Sequence, residues 1–222
     1  MKKEVEKLLQ YVQKPARYIG GELNAVIKDK EEIDIRYAFC FPDTYEIGMS
    51  HLGMKIIYGL VNDRQDSWCE RVFAPDNDME EQMRKNNVPL FALESGDYIK
   101  DFDMIGFTLM YELSYTNVLN MLNLAKIPLK SSERESLTPL VCVGGPCACN
   151  PEPITDFVDI VFLGDGEEST DEVIDLLKYA KENNLTKHQF LLKAKDIRGV
   201  YVPSFYEDYY NDDGTLKELK PL

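Results

Sequence analysis

Four loops carry the side chains and glycines that could bind a ligand, and each follows a short apolar run. Their candidate cofactor-binding residues are Asp43, Thr44, Tyr45 and Gly48 in the first loop, Thr108, Leu109 and Tyr111 in the second, Gly144, Gly145 and Pro146 in the third, and Gly164 in the fourth. A hydroxyl at a strand end can hydrogen-bond a heterocycle or a phosphate. A glycine lets the backbone lie flat against a ligand because no Cβ intervenes. These residue types predict a cofactor-binding edge without a catalytic residue or a metal ligand.

Each loop could instead have a purely structural role, and the residues alone do not decide between that role and ligand binding. Asp43 or Thr44 could cap a helix by accepting a backbone N–H. Thr108 could bond a neighbouring loop, and Gly144-Gly145 could form a plain tight turn. The acids in 165–168 complement the dipole of the helix that we expect there, and their charge argues against phosphate binding at its start.

The cysteines and histidines of the chain do not form a recognisable metal site. Cys142, Cys147 and Cys149 have the spacing C-x4-C-x-C, which matches no common zinc or iron–sulfur pattern. We interpret them as small buried or loop thiols, and His51 and His188 as structural side chains. The sequence also contains no nucleophile elbow, phosphate loop or dinucleotide fingerprint.

The elements that position these loops alternate between strands and helices. Buried strands are predicted over 33–41, 68–75, 103–110, 140–143 and 158–163, and helices over 3–13, 47–61, 76–86, 114–126, 168–182 and 187–195, with 89–93 either a weak strand or a loop. This alternation predicts an α/β fold with a doubly wound, mainly parallel sheet and helices on both faces. Ligands bind such sheets beyond the carboxyl ends of the strands, where the four loops lie.

The domain organisation that we predict has three parts. An N-terminal helix and turn occupy 1–22, the α/β domain occupies 23–184, and 185–222 is a linker toward a further C-terminal domain. The last residues, 216–222, are expected to close no element.

The composition limits the partners of this segment. Its 222 residues include 25 basic and 39 acidic side chains, for a formal charge of −14. This charge repels nucleic acid and anionic lipid. No stretch is long and apolar enough to span a bilayer, and the start lacks a signal peptide, so we expect a cytoplasmic protein.

Two strand-and-loop segments resemble the cobalamin-binding domain that precedes the catalytic barrel in many radical S-adenosylmethionine (radical SAM) proteins. They are the glycine-pair strand at 141–147 and the segment 159–167, which is similar to D-x-V-x-x-G-E-G-E with Asp165 in place of the first Glu. Segments 17–22, 41–53 and 198–203 are similar to an uncharacterised subgroup of these proteins. The resemblance covers nearly the whole chain and implies a Rossmann- or flavodoxin-like fold.

The chain departs from that family at the metal ligands. Tyr45 stands where cobalamin domains with a D-x-H-x-x-G motif have the cobalt-ligating histidine, so a histidine-ligated corrinoid would require His51 to reach back. Thr108-Leu109-Met110 approximates their serine-containing motif. The resemblance therefore implies either cobalamin bound without a histidine or a fold kept after cobalamin binding was lost. The C-x3-C-x2-C spacing that holds the radical SAM cluster is absent. The [4Fe–4S] cluster and S-adenosylmethionine are therefore expected only on a catalytic domain that this sequence lacks, and this segment alone is not expected to be catalytic. The sequence is expected to be either part of a longer polypeptide, which the tail favours, or a stand-alone relic of the fold.

These inferences give three functional hypotheses. The first is an accessory domain of a radical SAM enzyme that holds a corrinoid or shapes the substrate site, with a concave face lined by Tyr45, Thr108, Tyr111 and Gly144. The second is a non-catalytic interaction module with an exposed apolar patch within 201–210. The third is a flavodoxin-like redox domain binding flavin mononucleotide, which the negative charge of Asp43 and Glu46 disfavours.

Overall fold

Short apolar runs form the central strands, as a sheet covered on both faces requires. In β1 (Ile35–Phe41), every residue except Arg36 is buried. The computed structural model describes residues 2–222, and Met1, part of the predicted segment 1–22, lies outside the described residues. Within 2–222 the main sheet has six strands, which are β1, β2 (Ser67–Phe73), β3 (Met104–Thr108), β4 (Leu140–Gly144), β5 (Ile160–Phe162) and β6 (Val200–Tyr201).

The strand order is β2-β1-β3-β4-β5-β6, with β1 to β5 parallel and β6 antiparallel to β5. This order confirms the predicted doubly wound α/β fold of the Rossmann or flavodoxin type. The chain winds outward from β1 in both directions, so the strand order reverses between β1 and β3. Phe39 of β1 lies opposite Gly106 of β3, and Thr108 at the end of β3 lies opposite Gly144.

Helices cover both faces of the sheet. They are α1 (Lys3–Leu8), α2 (Tyr45–Ser50), α3 (Leu52–Asp63), α4 (Asn77–Asn86), α5 (Tyr115–Leu124), α6 (Gly166–Glu182) and α7 (Lys187–Ala194). Buried side chains of α1, α4 and α5 pack on one face, and those of α3, α6 and α7 pack on the other. Among the described residues, no helix is long and apolar enough for a membrane crossing.

The region predicted as one helix over 47–61 forms two helices, because the backbone at His51 is extended (φ −77°, ψ 120°). His51 ends α2 and begins α3, where its Nδ1 accepts the N–H of Met54 at 3.1 Å. The helical spacing of apolar residues continues across this break, so periodicity alone did not reveal it.

The C-terminal segment is more structured than predicted. Part of 185–222 belongs to the sheet domain, because α7 packs on it and β6 extends the sheet. The prediction that 216–222 closes no element is wrong, since β7 (Tyr206–Tyr210) and β8 (Leu216–Pro221) form an antiparallel hairpin. All residues of both strands are exposed, so the hairpin lacks the apolar alternation by which strands are recognised.

Candidate functional site

A cavity of about 410 Å³ opens at the carboxyl ends of β1, β3, β4 and β5. It lies on the sheet face that α3 and α6 cover, next to the point where the strand order reverses. Small residues on neighbouring strands make its floor, with Gly106 of β3 opposite Cys142 of β4 and Thr108 opposite Gly144. Because these positions carry little or no side chain on that face, space remains between the sheet and the helices.

The structure brings together the predicted residues of the second, third and fourth loops. The predicted residues that line the cavity are Thr108, Gly144, Gly145, Pro146 and Gly164. They meet because the carboxyl ends of parallel strands lie at one edge of the sheet. The role of these residues in holding a cofactor stays a prediction.

Gly145 is held in a conformation that favours glycine, with φ at +97°. A Cβ there would lie 2.9 Å from the carbonyl oxygen of Leu109 and 3.0 Å from Oγ1 of Thr108. Leu109 is buried and outside the cavity lining, but its N–H donates to the Gly144 carbonyl at 2.7 Å and its carbonyl accepts the Cys147 N–H at 3.0 Å. The backbone of Leu109 therefore ties the glycine pair to the end of β3.

Asp43 and Tyr111 contact one another outside the cavity lining. The Tyr111 hydroxyl donates to Oδ2 of Asp43 at 2.6 Å, and this hydrogen bond raises the pKa of Tyr111. The other oxygen of Asp43 accepts the N–H of Thr44 at 2.7 Å. Thr44 is the residue preceding α2, and in the described part of the chain no side-chain cap forms there, so the structure does not show the capping role that the residues left open.

Tyr45 and Gly48 also lie outside the cavity lining. The Tyr45 hydroxyl donates to Oε1 of Glu22 at 3.1 Å, and burial together with the Glu22 charge raises the pKa of Tyr45. Gly48 packs against the ring of Phe73 so closely that a Cβ would overlap it. Four residues were predicted to line a concave face. Thr108 and Gly144 line the cavity, whereas Tyr45 and Tyr111 do not.

Tyr37 and Gly106 line the cavity and were not singled out from the sequence. Tyr37 is only 3% exposed, and its hydroxyl lies at the position that a side chain on residue 106 would fill. Burial raises the pKa of Tyr37 well above its usual value. The available signal was Gly106 itself, because a glycine inside a strand often marks a close approach of another group.

His51 lines the same cavity, but its helix-capping bond restricts what it can bind. Nδ1 uses its lone pair to accept the Met54 N–H, so the neutral ring carries its proton on Nε2. That Nε2–H can donate a hydrogen bond but cannot ligate a metal while the cap persists. Burial lowers the pKa of His51, which favours this neutral form.

The thiols of the chain fall into two groups. Cys40, Cys69 and Cys142 are buried, and burial raises the pKa of each well above its usual value. Cys147 is half-buried, and Cys149 is exposed and lines the cavity. Within residues 2–222 no group of three or more His, Cys, Asp or Glu side chains is arranged to hold a metal ion.

The charge of the lining is confined to a few groups. The acids Asp165 and Glu167, at the start of α6, contribute carboxylates, while Tyr37 and Thr108 contribute uncharged hydroxyls. Carboxylates disfavour a phosphate, and the apolar side chains in the lining, among them Ile56, Ile57 and Phe162, favour an organic ring. The cavity therefore suits a largely uncharged organic group.

Comparisons with known proteins place this chain beside radical SAM proteins. A family model described as "Radical SAM proteins, N-terminal" matches residues 53–203, which is more than half of the chain. An uncharacterized protein of Methanocaldococcus jannaschii is 26% identical over 133 residues, which cover 60% of this chain and 24% of that protein. The matched part thus spans about a quarter of the length of this curated relative. No solved structure gives a significant match.

Proposed function

This chain belongs to the family of radical SAM N-terminal domains, and from that premise we propose that its cavity holds an organic ligand for a radical SAM enzyme. The candidate we put first is a corrinoid bound without a histidine ligand. The proposal rests mainly on the cavity of about 410 Å³, which lies where the strand order of the sheet reverses. In open α/β sheets this is where ligands bind.

The side chains near the cavity offer no histidine that is free to ligate cobalt, so they are compatible only with a corrinoid bound without a histidine ligand. Tyr45 occupies the position of the expected histidine, lies outside the lining and is bonded to Glu22. His51 lines the cavity, but its Nδ1 is occupied by the helix cap. When bound, a corrinoid supplies the cobalt chemistry, and the residues we assign to holding it are Gly144, Gly145, Pro146, Thr108 and Gly164.

A catalytic domain in the same polypeptide is the proposed partner. It would carry the [4Fe–4S] cluster and S-adenosylmethionine, because the C-x3-C-x2-C spacing is absent from this sequence. The family description and the greater length of the archaeal relative support this proposal.

Exposed apolar side chains near the cavity mouth also support a covering domain. They follow β1, β3 and β5 at the carboxyl edge of the sheet, and they are Ile47, Leu52, Ile56, Tyr111, Leu113 and Leu163. Apolar side chains grouped around a ligand cavity are typical of a surface that another domain covers.

Addition of hydroxocobalamin tests the corrinoid proposal. The protein is mixed with hydroxocobalamin and desalted, and the visible spectrum and the co-eluting cobalt are measured. We expect a spectral shift and co-elution, with equal retention by His51→Asn, which keeps a helix-capping side chain but removes the imidazole. Absence of both signals would exclude the corrinoid, and loss of retention in His51→Asn would show that a histidine ligates the cobalt.

The second candidate function is a non-catalytic interaction module. It is favoured by the hairpin β7–β8, whose exposed apolar residues are Tyr206, Tyr209, Tyr210, Leu216 and Leu219. The patch expected at 201–210 is thus only partly exposed, since Tyr201 and Phe205 are half-buried. If the hairpin docks a catalytic domain, Tyr210→Ser should weaken the association of the two separately expressed domains in size-exclusion chromatography. An unchanged elution profile would exclude this role.

The flavodoxin-like hypothesis receives the least support. The loop after β1 carries the carboxylates of Asp43 and Glu46, where a phosphate would have to bind. Glu46 pairs with Arg17 at 2.8 Å, and Asp43 accepts a hydrogen bond from the Tyr111 hydroxyl. Carboxylates accept hydrogen bonds and repel a phosphate, so these two side chains do not form a phosphate site.

A further inference from the structure

We infer that a second cavity, lined by the segment 22–26, α2, α3 and β2, binds a primary carboxamide group attached to an apolar body. The groups that recognise the carboxamide are the guanidinium of Arg71 and the carboxylate of Glu22. The inference is independent of the corrinoid proposal, because the second cavity and the sheet-edge cavity have no lining residue in common. Neither the family match nor the sequence motifs assign a ligand to this place.

The second cavity has a volume of about 450 Å³ and lies beside the edge strand β2, which contributes Arg71. Much of its wall is apolar, and the apolar residues that line it are Leu23, Val26, Met49, Met54 and Tyr58. The side chain of Leu23 is fully exposed. A ligand with an apolar body would cover such a side chain and bury part of its surface.

Two buried polar atoms of the lining residues lack a hydrogen-bond partner. They are Nη2 of Arg71 and Oε2 of Glu22, and neither makes a hydrogen bond within residues 2–222. The Arg71 side chain is 8% exposed and that of Glu22 is 13% exposed. The two atoms lie 3.5 Å apart, so their charges attract, but no hydrogen bond joins them. Because buried polar groups without partners cost free energy, a ligand group that bonds both atoms would gain binding energy here.

The remaining polar atoms of these two side chains are already bonded, which holds the pair in place. Nε of Arg71 donates to Oε1 of Glu94 at 2.6 Å, and Nη1 donates to the sulfur of Met49 at 3.4 Å. Oε1 of Glu22 accepts the hydroxyl of Tyr45 at 3.1 Å. The unbonded donor and the unbonded acceptor are therefore held side by side.

The charges around Arg71 favour a neutral ligand group. Its guanidinium already faces two carboxylates, those of Glu22 and Glu94. A ligand carboxylate would add a third negative charge, and a ligand ammonium would lie against the guanidinium. Either would bury a charge without a free counter-ion. Lys55 also lines the cavity, but it is exposed, so solvent screens its charge.

A primary carboxamide meets these conditions, because it is neutral and carries an acceptor and a donor on one edge. Its carbonyl can accept from Nη2 of Arg71 while its N–H donates to Oε2 of Glu22. In a trans peptide bond the N–H and the C=O point in opposite directions, so a backbone amide cannot bond both atoms in this way. Since both atoms are buried, Glu22 must shift slightly to admit the ligand. The neighbouring Leu23 and Asn24 are exposed, so this shift uncovers no core residue.

The test is an NMR titration of the full chain with benzamide and with benzoate, which share an apolar ring but differ in charge. We expect benzamide to bind about tenfold more tightly than benzoate, as expected for one charge-assisted hydrogen bond. Gly59→Leu should abolish benzamide binding, because Gly59 lines the second cavity and no atom lies within 4 Å of an added Cβ there. Gly144→Leu locates the binding, because its side chain enters the sheet-edge cavity instead, and it should bind benzamide as the wild type does.

Glu22→Gln tests the contribution of the carboxylate. Glutamine keeps the size of the side chain, removes the negative charge and adds an N–H donor. We expect this variant to bind benzamide a few-fold more weakly and to bind benzoate at least as tightly as benzamide, so that the preference of the wild type is lost. The ligand-free spectrum of each variant shows whether it is folded.

Four results would overturn the inference. They are the absence of saturable shifts with benzamide, undiminished binding by folded Gly59→Leu, loss of binding in folded Gly144→Leu, and the wild-type preference in folded Glu22→Gln. The first result would mean that an ordered water molecule, rather than a ligand, joins Arg71 and Glu22. None of these results changes the expected retention of hydroxocobalamin, which tests the corrinoid proposal separately.

Discussion

The hydroxyl of Tyr37 on β1 occupies the space that a side chain on Gly106 of β3 would fill. The two residues lie on adjacent parallel strands, and together they form the floor of the cavity at the sheet edge. Gly106 is therefore required for the position of the tyrosine ring, and the tyrosine adds a hydroxyl to a floor that also contains the hydroxyl of Thr108.

The first prediction follows from this contact. Gly106→Ala should lower the free energy of unfolding by about 1–3 kcal/mol, the usual cost of overpacking a core. The measurement is urea denaturation of the wild type and the variant. In a Tyr37→Ala background the added methyl group has room, so the cost of Gly106→Ala should be smaller there. Equal costs in the two backgrounds would show that the residues are not in contact.

The second prediction concerns pH and His51. Burial lowers the pKa of His51 in the folded protein, whereas the unfolded chain has the ordinary value of about 6.5. Below that pH the unfolded state binds more protons than the folded state, so the contribution of His51 to stability is complete above pH 6.5 and is lost as the pH falls. Protonation of Nδ1 would also remove the acceptor of the Met54 N–H.

His51→Asn provides the comparison, because asparagine can cap α3 but does not titrate. We expect the melting temperature of this variant to fall less than that of the wild type between pH 7.5 and pH 5.5. Parallel pH dependence in the two proteins would show that His51 does not contribute to it.

The third prediction concerns thiol reactivity. Cys149 is exposed, whereas Cys40, Cys69 and Cys142 are buried with raised pKa values. The thiolate is the reactive form, so iodoacetamide at neutral pH should label Cys149 first and the three buried thiols only after unfolding. Mass spectrometry of peptides identifies the labelled positions, with Cys149→Ser as the control. Early labelling of Cys142 would show that the cavity floor is more open than the structure indicates.

A ligand in the cavity should protect Cys149, which lines it. A hydroxocobalamin concentration at which binding is detected should slow labelling of Cys149 severalfold by covering it. Labelling of Cys69, which is buried outside the lining, should slow only as far as the bound ligand stabilises the fold. If Cys149 is labelled at the same rate with and without bound hydroxocobalamin, the corrinoid lies elsewhere.

The fold could be predicted from sequence because its signals are local. The buried runs that became β1, β3 and β4 are recognisable from composition, and the alternation of strands with helices implies a parallel sheet. The same rule placed Thr108, Gly144 and Gly164 at one edge, where they line the cavity.

The rest of the site depends on relationships between distant residues. In the sequence, nothing distinguishes Tyr37 from the other buried residues of its apolar strand. Only the pairing of β1 with β3 places its hydroxyl over Gly106. Tyr45 lies outside the cavity lining and donates to Glu22, a residue 23 positions earlier in a turn-rich segment. Neither relationship has a signature in the local sequence.

The hairpin β7–β8 was missed for a different reason. Its strands are exposed and rich in charged residues and tyrosine, so no buried face sets a period of two. The turn at 211–215 does have a signal, since Asp213-Gly214 is a dipeptide common in hairpin turns and Gly214 has φ at +81°.

The most direct test of the central claim is retention of hydroxocobalamin by a variant in which the cavity is filled. Gly144 lines the cavity, and a Cβ there would meet Phe162 at an ordinary contact of 3.4 Å, so Gly144→Leu should fold with its side chain occupying the ligand space. Gly59→Leu is the control, because no atom lies within 4 Å of an added Cβ at that position and it is outside the cavity lining. The account predicts that cobalt co-elutes with the wild type and Gly59→Leu but not with folded Gly144→Leu, as judged by circular dichroism. Equal co-elution with all three proteins, or with none, would contradict it.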